Sequence, residues 1–249
     1  MTDSFIELNG MSADCFQLIS QGGCFFIGAS VTAQKNGWTD KLVELISEKL
    51  KSSFAVGKKA MGGVGLTFGV TNWPNIDLPV GGVVFIEFSS GDLNLGLTPL
   101  DRLETLLESL IIDILSQKNF PIIVHNWRSD FRNEKGDIVR NIYNAVASKF
   151  HVPIIRNDIF VESEIAQDAN IDKTWFRDIC HTTSEGAFAY AKHIFDAMCV
   201  ISSQKNTGVI NVKKADKILG EVEPLFHLDK YFNFDNYVSN TYTYPNTGQ

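Results

Sequence analysis

Several motifs that would identify a metal or nucleotide site are missing from this sequence. Its 249 residues include four cysteines, none of them in a Cys-x-x-Cys pair, and five histidines without His-Glu-x-x-His spacing. Residues 63–69 are rich in glycine but miss the dinucleotide spacing, and no phosphate-loop Gly-Lys-Ser/Thr motif follows a candidate strand. We therefore expect no metal and no cofactor. The unpaired cysteines favour a reducing compartment.

Positive charge is scarce relative to negative charge. The chain carries 22 Lys and Arg residues against 29 Asp and Glu residues, so its formal net charge is −7. A protein that binds a phosphate backbone needs clustered basic residues. We therefore expect no nucleic acid partner.

Long hydrophobic runs are also absent. No apolar run approaches the roughly 20 residues that a membrane-spanning helix requires, and residues 1–10 have no basic stretch before an apolar one. Hydrophobic residues nevertheless make up 44% of the chain, enough to bury a full core without disulfides or metals. These features predict a cytoplasmic protein without a membrane partner, and the sequence carries no signature of an oligomeric state.

Short apolar runs alternate with helical periods along most of the chain. The apolar runs, each bounded by turn-forming residues, lie at residues 24–27, 83–88, 121–124 and 152–155, with a weaker candidate at 53–56. Apolar residues recur at helical spacing within residues 42–50, 100–114, 138–146 and 187–198. Buried strands that alternate with helices predict an α/β fold with a parallel sheet.

Two of the predicted helices have clear start signals. Thr98, Pro99 and Asp101 combine a capping hydroxyl, a proline for the first turn and a carboxylate near the positive end of the helix dipole. Thr183, Ser184 and Glu185 are candidate cap residues for the last helix. We therefore expect one helix to begin after Thr98 and another at residues 183–185.

The pattern divides the chain into an α/β domain over residues 1–201 and a C-terminal extension over residues 202–249. The extension is polar and turn-rich, but it holds aromatic residues at positions 226, 231, 232, 234, 237, 242 and 244. Aromatic side chains bury a large area when they dock, so the extension is predicted to pack on the domain. A lid that binds a sugar or a partner is the alternative.

A serine lies where the first buried strand ends. Residues 24–27 lead to Ser30, and open α/β sheets bind their ligands at this end of their strands. Serine is a weak nucleophile that needs a histidine base, which in turn needs an acid to orient it. Asp178 and His181 supply both groups within reach of each other in one turn. A turn-forming serine, a helix cap and a surface histidine are the structural alternatives.

The blocks around Ser30 and His181 resemble the SGNH (GDSL-type) hydrolase family. The resemblance rests on Gly28-Ala29-Ser30 and Asp178-Ile179-Cys180-His181, in this order, and covers about residues 23–198. It implies a three-layer α/β/α sandwich with a short parallel sheet. It also implies a catalytic triad in which Ser30 is the nucleophile, His181 the base and Asp178 the acid.

The same resemblance implies an oxyanion hole, a set of donors for the negative charge that develops on the carbonyl oxygen. Residues 60–67 resemble the glycine block of the family, in which Gly65 takes the donor position and Gly63 is the runner-up. The backbone N–H of Ser30 is the other expected donor. A plain loop is the alternative for the glycine block.

Two positions depart from the family pattern. Gly91 stands where the third family block has an asparagine, and Asn94 supplies the missing amide only if the loop is rearranged. Ala29 replaces an aspartate before the nucleophile, a change expected to loosen the local loop. Loss of one oxyanion donor lowers a rate by roughly 10²- to 10³-fold. A non-catalytic ligand-binding protein on this scaffold is therefore an alternative.

Trp73 and Trp127 are candidates for substrate binding. They follow the glycine block and a candidate strand, and an exposed indole suits the apolar face of a sugar ring. Buried packing is the commoner role of a tryptophan. With the resemblance, these residues favour small acyl esters, including the O-acetyl groups of carbohydrates, as substrates. An O-acetyltransferase, which passes the acyl group to a sugar hydroxyl instead of water, is the alternative.

Overall fold

The computed structural model describes residues 5–73, 80–95, 98–131, 133–204 and 240–243, with the side chains of all but residues 94, 95 and 240–243. The strands are β1 (Ile6–Glu7), β2 (Cys24–Gly28), β3 (Ala55–Ala60), β4 (Val83–Glu87), β5 (Phe120–His125), β6 (Ile154–Arg156) and β7 (Asn240–Thr243). The helices are α1 (Cys15–Gly22), α2 (Ser30–Ala33), α3 (Trp38–Leu50), α4 (Leu66–Asn72), α5 (Ser89–Leu95), α6 (Leu100–Ser116), α7 (Glu134–Phe150), α8 (Asn157–Gln167), α9 (Ile171–Trp175) and α10 (Ser184–Ser203).

The strands form one mixed sheet in the order β1-β6-β5-β4-β2-β3-β7. The inner strands β6, β5, β4, β2 and β3 are parallel, as the alternation of apolar runs and helices predicts. β1 and β7 pair antiparallel at the two edges. Neither edge strand is predicted from the sequence, because strands of two and four residues are too short to show a period.

Helices cover both faces of the sheet. Phe26 and Phe85 pack with α1, α3 and α10 on one face, whereas Ile27 and Ile86 pack with α4, α6 and α7 on the other. Every residue of β2, β4 and β5 is buried, as expected of parallel strands that are covered on both sides. The predicted three-layer α/β/α sandwich is therefore confirmed.

The register of the central strands brings their carboxyl ends to one edge of the sheet. Gly28, the last residue of β2, pairs with Ala60 at the end of β3 and with Glu87 at the end of β4. The loops that follow these three strands therefore start side by side. Open α/β sheets bind their ligands at this edge.

Helix capping agrees with the prediction at α10 and differs at α6. Thr183 caps α10, because its hydroxyl accepts the N–H of Gly186 at 3.2 Å. At α6 the cap position belongs to Pro99, which makes no side-chain hydrogen bond, so the prediction that Thr98 caps this helix is wrong. Thr98 is buried, and its hydroxyl instead accepts the backbone N–H of Thr67, in α4, at 3.4 Å. Packing against α4 thus outweighs the local capping preference.

A short part of the C-terminal extension belongs to the sheet. The backbone of β7 pairs with β3, with Thr241 opposite Gly57. The aromatic side chains of the extension lie outside the described residues, so its packing on the domain stays a prediction. In the described ranges, every helix is too short or too polar to cross a lipid bilayer.

Candidate active site

A cleft of about 470 Å³ lies beyond the carboxyl ends of β2, β3 and β4. Its lining comes from five chain segments: residues 29–30, residues 62–64, Gly91, Arg128 and residues 178–181. Each of the first three segments follows one of these strands. The cleft therefore brings Ser30 together with Asp178 and His181, which are far from it in sequence.

Ser30 is the first residue of α2 and is partly exposed. The residue before it is fixed, since the Ala29 N–H donates to the carbonyl oxygen of Glu87 at 2.9 Å. Glycine is required at position 28, where a Cβ would lie 2.6 Å from the same carbonyl oxygen and 2.5 Å from the Thr32 hydroxyl. Close packing of β2 on β4 thus sets the position of the candidate nucleophile.

A buried carboxylate ties α2 to the end of β4. Glu87 is fully buried and accepts hydrogen bonds from the hydroxyls of Thr32 (2.8 Å) and Ser90. Burial raises the pKa of Glu87 to about 7, although these hydrogen bonds oppose the shift. The sequence marks this residue only as a charged position at the end of an apolar run.

Asp178 and His181, the candidate acid and base, lie in a tight hairpin between α9 and α10. Its two sides meet at an antiparallel bridge between Phe176 and Thr182. Within the turn, Oδ1 of Asp178 accepts the backbone N–H groups of Cys180 at 3.0 Å and of His181 at 2.9 Å. The carboxylate therefore closes the loop that carries the histidine.

Asp178 also holds the imidazole of His181. Its two carboxylate oxygens lie 2.9 and 3.0 Å from Nδ1. Partial burial would raise the pKa of Asp178, but the hydrogen bonds from the His181 and Cys180 N–H groups and from the imidazole lower it to about 2. The carboxylate is therefore ionised at neutral pH and favours the tautomer with the proton on Nδ1. In that tautomer Nε2 can accept a proton.

The histidine hairpin is tied to the serine helix. The side-chain amide of Gln34, which follows α2, donates to the carbonyl oxygen of Thr182 at 2.8 Å. No hydrogen bond joins the described side chains of Ser30 and His181. Catalytic hydrogen bonds are often long in the absence of substrate. The common cleft and this tether are what bring the serine and the base together.

The glycine block enters the cleft through residues 62–64. Gly63 has a φ of +72°, which favours glycine, and a Cβ there would meet no atom within 4 Å. Gly65 follows the lining segment directly and packs against the carboxylate of Asp92 at the start of α4. Within the described residues, the backbone N–H groups of Ser30 and Gly65 have no hydrogen-bond acceptor. The structure thus brings Gly63 into the cleft lining and places Gly65 one residue beyond it.

Gly91 lines the cleft near the start of α5. A Cβ at this position would lie 2.2 Å from the Val64 carbonyl oxygen and 2.9 Å from Cβ of Ala29. The two departures from the family pattern are therefore neighbours in space. Asn94 also belongs to α5, but its side chain is outside the described residues, so its role as a donor stays a prediction.

Arg128 lines the cleft and ends the segment 125–128, which follows the predicted strand at 121–124. Its side chain is 5% exposed and forms a bidentate ion pair with Asp130, with Nε to Oδ1 at 2.8 Å and Nη2 to Oδ2 at 2.9 Å. Nη1 donates to the carbonyl oxygen of Ser90 at 2.8 Å. A permanent positive charge therefore forms part of the cleft wall.

The two tryptophans lie in the core instead of the cleft. Trp73 is fully buried and packs edge-on against Phe25, with 5.9 Å between ring centroids. Trp127 is 3% exposed, packs against Phe176 at 4.3 Å and donates its indole N–H to Glu162. Burial removes both ring faces from solvent, so the substrate-binding role predicted for Trp73 and Trp127 is corrected to core packing.

The acid and the base also belong to a potential cation site. One ligand atom each from Asp178, Cys180 and His181 lies within 4.8 Å of the others. The atoms of Asp178 and His181 are already joined by their hydrogen bond, and burial raises the pKa of the Cys180 thiol to about 12. A protonated thiol is a poor metal ligand. This donor set therefore suits proton transfer better than metal binding.

Comparison with known proteins finds similarity of structure rather than of sequence. No protein-family model and no curated protein matches the chain. Among solved structures, a two-domain esterase, CEX, active on acetylated mannans, is similar with a TM-score of 0.58 and 18% identity. The match covers 74% of this chain and 50% of that one, so the chain spans about half the length of that esterase.

Two other solved structures are similar over nearly their whole length. The acetyl xylan esterase AlAXEase has a TM-score of 0.58 and 17% identity, over 70% of this chain and 98% of that one. A member of the lipolytic protein G-D-S-L family from Veillonella parvula has a TM-score of 0.51 and 16% identity, over 70% of this chain and 96% of that one. At such low sequence identity, the structural similarity shows a common fold and nothing more. This is the fold predicted from the sequence.

Proposed function

We propose that this chain, which has the fold of the SGNH (GDSL-type) hydrolases, is a serine esterase that acts on small acyl esters. One observation carries the proposal: Ser30 lies in the same cleft as His181, whose imidazole is held by Asp178. A serine with a base and an orienting acid is the set of groups that acyl transfer through serine requires.

The proposed reaction has two stages. In the first, Oγ of Ser30 bonds to the ester carbonyl carbon, its proton passes to Nε2 of His181, and the carbonyl electron pair moves onto oxygen. The C–O bond to the alcohol then breaks, and the imidazolium protonates the departing alkoxide. In the second stage, His181 takes a proton from water, which attacks the acyl-enzyme, and the carboxylic acid leaves as the serine recovers its proton.

Asp178 stabilises the charged form of the base during both stages. Its carboxylate stays ionised because hydrogen bonds lower its pKa to about 2. The negative charge on the two oxygens near Nδ1 favours the imidazolium that forms when Nε2 takes the serine proton. The acid therefore acts by orientation and charge without taking up a proton itself.

The oxyanion receives hydrogen bonds from backbone N–H groups in this proposal. Those of Ser30 and Gly65, which have no acceptor within the described residues, are the expected donors, with Asn94 as the predicted side-chain donor. Such donors lower the barrier because they are already oriented when the charge develops.

The proposed substrates are small acyl esters, with carbohydrate O-acetyl groups as the preferred class. The cleft wall contains one alanine, Ala29, and three glycines, Gly62, Gly63 and Gly91. Because glycine has no side chain and alanine only a methyl group, these residues leave room for a short acyl group. Two structurally similar proteins, the acetyl xylan esterase and the esterase active on acetylated mannans, support this choice.

The test is covalent labelling with a fluorophosphonate probe, followed by mass spectrometry of the adduct and by hydrolysis of p-nitrophenyl acetate. We expect an adduct on Ser30 that disappears, together with hydrolysis, in Ser30→Ala and His181→Ala. Ser184→Ala, a change at an exposed serine outside the cleft, is the matched control and should behave like the wild type.

Other outcomes would change the assignment. Folded protein with neither adduct nor hydrolysis would contradict the esterase proposal and favour ligand binding, the role consistent with Gly91 in place of a donor residue. An adduct with acetyl transfer to an added sugar in preference to water would make the same residues an O-acetyltransferase. Analysis of the products from an acyl donor with and without sugar separates the two reactions.

A further inference from the structure

The cleft wall cannot hold a side-chain donor at Gly91. A Cβ there would lie 2.2 Å from the Val64 carbonyl oxygen, which is backbone and moves only with the glycine block. The same Cβ would lie 2.9 Å from Cβ of Ala29, the residue before the nucleophile. A side-chain donor for an oxyanion at this place must therefore come from another segment.

Arg128 is anchored directly beside this place. Its Nη1 donates to the carbonyl oxygen of Ser90, the neighbour of Gly91 in the chain. The next residue, Ser129, donates its N–H to the carbonyl oxygen of Ile179 in the histidine hairpin at 3.0 Å. The arginine is therefore held between the end of β4 and the hairpin that carries the base.

Two N–H groups of the Arg128 guanidinium are unpaired within the described residues. Of its five N–H groups, the ion pair with Asp130 uses one on Nε and one on Nη2, and Ser90 uses one on Nη1. One N–H on each terminal nitrogen has no acceptor within the described residues. Because the side chain is 5% exposed, a hydrogen bond from it is screened little by water.

We propose that Arg128 donates a hydrogen bond to the oxyanion of the tetrahedral intermediate, and so supplies the side-chain donor that Gly91 cannot. This inference rests on the proposed esterase function. A guanidinium forms a charge-assisted hydrogen bond to an oxyanion, which is stronger than one from a neutral amide. The bidentate pair with Asp130 fixes its orientation before the substrate arrives, as transition-state stabilisation requires.

The chief competing role for Arg128 is recognition of a carboxylate on the substrate. The two roles differ in the kinetic constant that they affect. An oxyanion donor acts in the transition state of every ester, so its loss lowers kcat for neutral and anionic esters alike. A carboxylate receptor acts on substrate binding, so its loss raises KM for anionic esters only.

The test compares Arg128→Met and Arg128→Lys with the wild type on p-nitrophenyl acetate and on the anionic mono-p-nitrophenyl glutarate. We expect kcat of Arg128→Met to fall roughly 10²- to 10³-fold on both esters with little change in KM. Arg128→Lys should lose less, because it keeps the charge but not the planar geometry. The rate of fluorophosphonate labelling of Ser30, in which the phosphoryl oxygen takes the oxyanion position, should fall in parallel.

Two control variants separate catalysis from structure. Asp130→Asn removes the charge of the ion-pair partner but keeps the guanidinium, and should lower kcat less than about 10-fold. Asn94→Ala tests the other candidate donor, and its kcat should fall less than that of Arg128→Met. Unfolding temperatures of all variants show whether a loss of rate follows a loss of folding.

Several results would overturn the inference. An unchanged kcat in both arginine variants would do so, as would an effect limited to a higher KM for the anionic ester. A fall in kcat in Asn94→Ala instead of in the arginine variants would assign the donor role to Asn94. An equal fall in kcat in Asp130→Asn, with the same drop in unfolding temperature, would show a structural role. In each case an active, labelled wild type leaves the esterase proposal standing. An inactive, unlabelled wild type contradicts the esterase proposal itself, and the role of Arg128 with it.

Discussion

Close packing determines the side chains around Ser30. Glycine at positions 28 and 91 lets three backbone segments approach within van der Waals distance, because a Cβ at either position would lie under 3 Å from a backbone oxygen of another segment. The small residues that precede and face Ser30 are therefore structural requirements of the close packing.

Gly91→Ala should damage the site more than a similar change at another glycine of the cleft. The added Cβ would lie 2.2 Å from the Val64 carbonyl oxygen, so this carbonyl group would have to move and would displace the glycine block. We expect a cost of about 1–3 kcal/mol in unfolding free energy, as for other overpacked positions, and a fall in esterase kcat. Chemical denaturation and p-nitrophenyl acetate hydrolysis measure the two effects.

Gly62→Ala is the matched control for that experiment. It also lines the cleft, but its Cβ would approach only Cβ of Ser30, at 3.9 Å, which is ordinary contact. Equal stability of the two variants would show that the contact between Gly91 and Val64 is not tight in solution.

Glu87 makes the stability of the protein depend on pH. Its pKa rises from 4.5 to about 7 on folding, mainly through burial. Between these values the folded protein keeps a proton that the unfolded chain has lost, so the free energy of unfolding falls as the pH rises through this window. The shift corresponds to on the order of 3 kcal/mol.

Glu87→Gln should remove most of this dependence. The amide is neutral at every pH and can still accept a hydrogen bond from Thr32 or Ser90. We therefore expect the difference in unfolding free energy between variant and wild type to move in favour of the variant from pH 4.5 to pH 7.5, as measured by urea titration. Parallel curves over that range would show that Glu87 does not titrate there.

At the scale of elements, single hydrogen bonds join the segments that carry the site. α2 and the histidine hairpin are linked by Gln34 and Thr182, and the hairpin is linked to the segment after β5 by Ser129 and Ile179. These bonds lie away from the atoms that react. In the proposed mechanism they affect catalysis through the position of Ser30 relative to His181.

Gln34→Leu tests the first of these links. The leucine keeps the volume but cannot donate to the Thr182 carbonyl oxygen, so α2 and the hairpin lose a bond worth about 1 kcal/mol. We expect kcat to fall roughly 5- to 10-fold with KM nearly unchanged. Lys35→Ala, at the exposed next position, is the control; an equal effect in both variants would argue against a specific tether.

At the scale of the whole molecule, an antiparallel strand extends each edge of the parallel sheet. β1, from the N-terminal region, pairs with β6, whereas β7, from near the C-terminal end of the chain, pairs with β3. Without β7, the N–H and C=O groups of β3 that face it would be open to another chain. The C-terminal segment therefore protects an edge strand.

Removal of residues 205–249 should lower the unfolding temperature and cause self-association that increases with concentration, measurable by light scattering. A chain that stops after residue 243 keeps β7 and should stay like the full-length protein. Catalytic residues of the proposed mechanism lie before residue 204, so the shorter protein should still label with the fluorophosphonate where it is folded. Unchanged stability and association would show that β7 contributes little to the edge.

Local patterns in the sequence were sufficient for the α/β fold class and for the contact between Asp178 and His181. The periods of apolar residues depend on neighbours in the chain, and they predict the five parallel strands and the four long helices α3, α6, α7 and α10. Asp178 and His181 lie in one turn, so their contact also follows from local spacing. Thr98 shows the limit of such reasoning, because its hydroxyl accepts a hydrogen bond from Thr67 of α4 instead of capping α6.

The sequence by itself thus determined the α/β class with its parallel sheet and the contact between Asp178 and His181, because both depend on short-range patterns. Tertiary structure alone decided the rest, which depends on segments distant in the chain. It buried Trp73 and Trp127, joined Gln34 to Thr182, anchored Arg128 on the Ser90 carbonyl, and added the two edge strands. The burial of a side chain and the contacts between distant segments arise from packing between elements, so they cannot be predicted from a local sequence pattern.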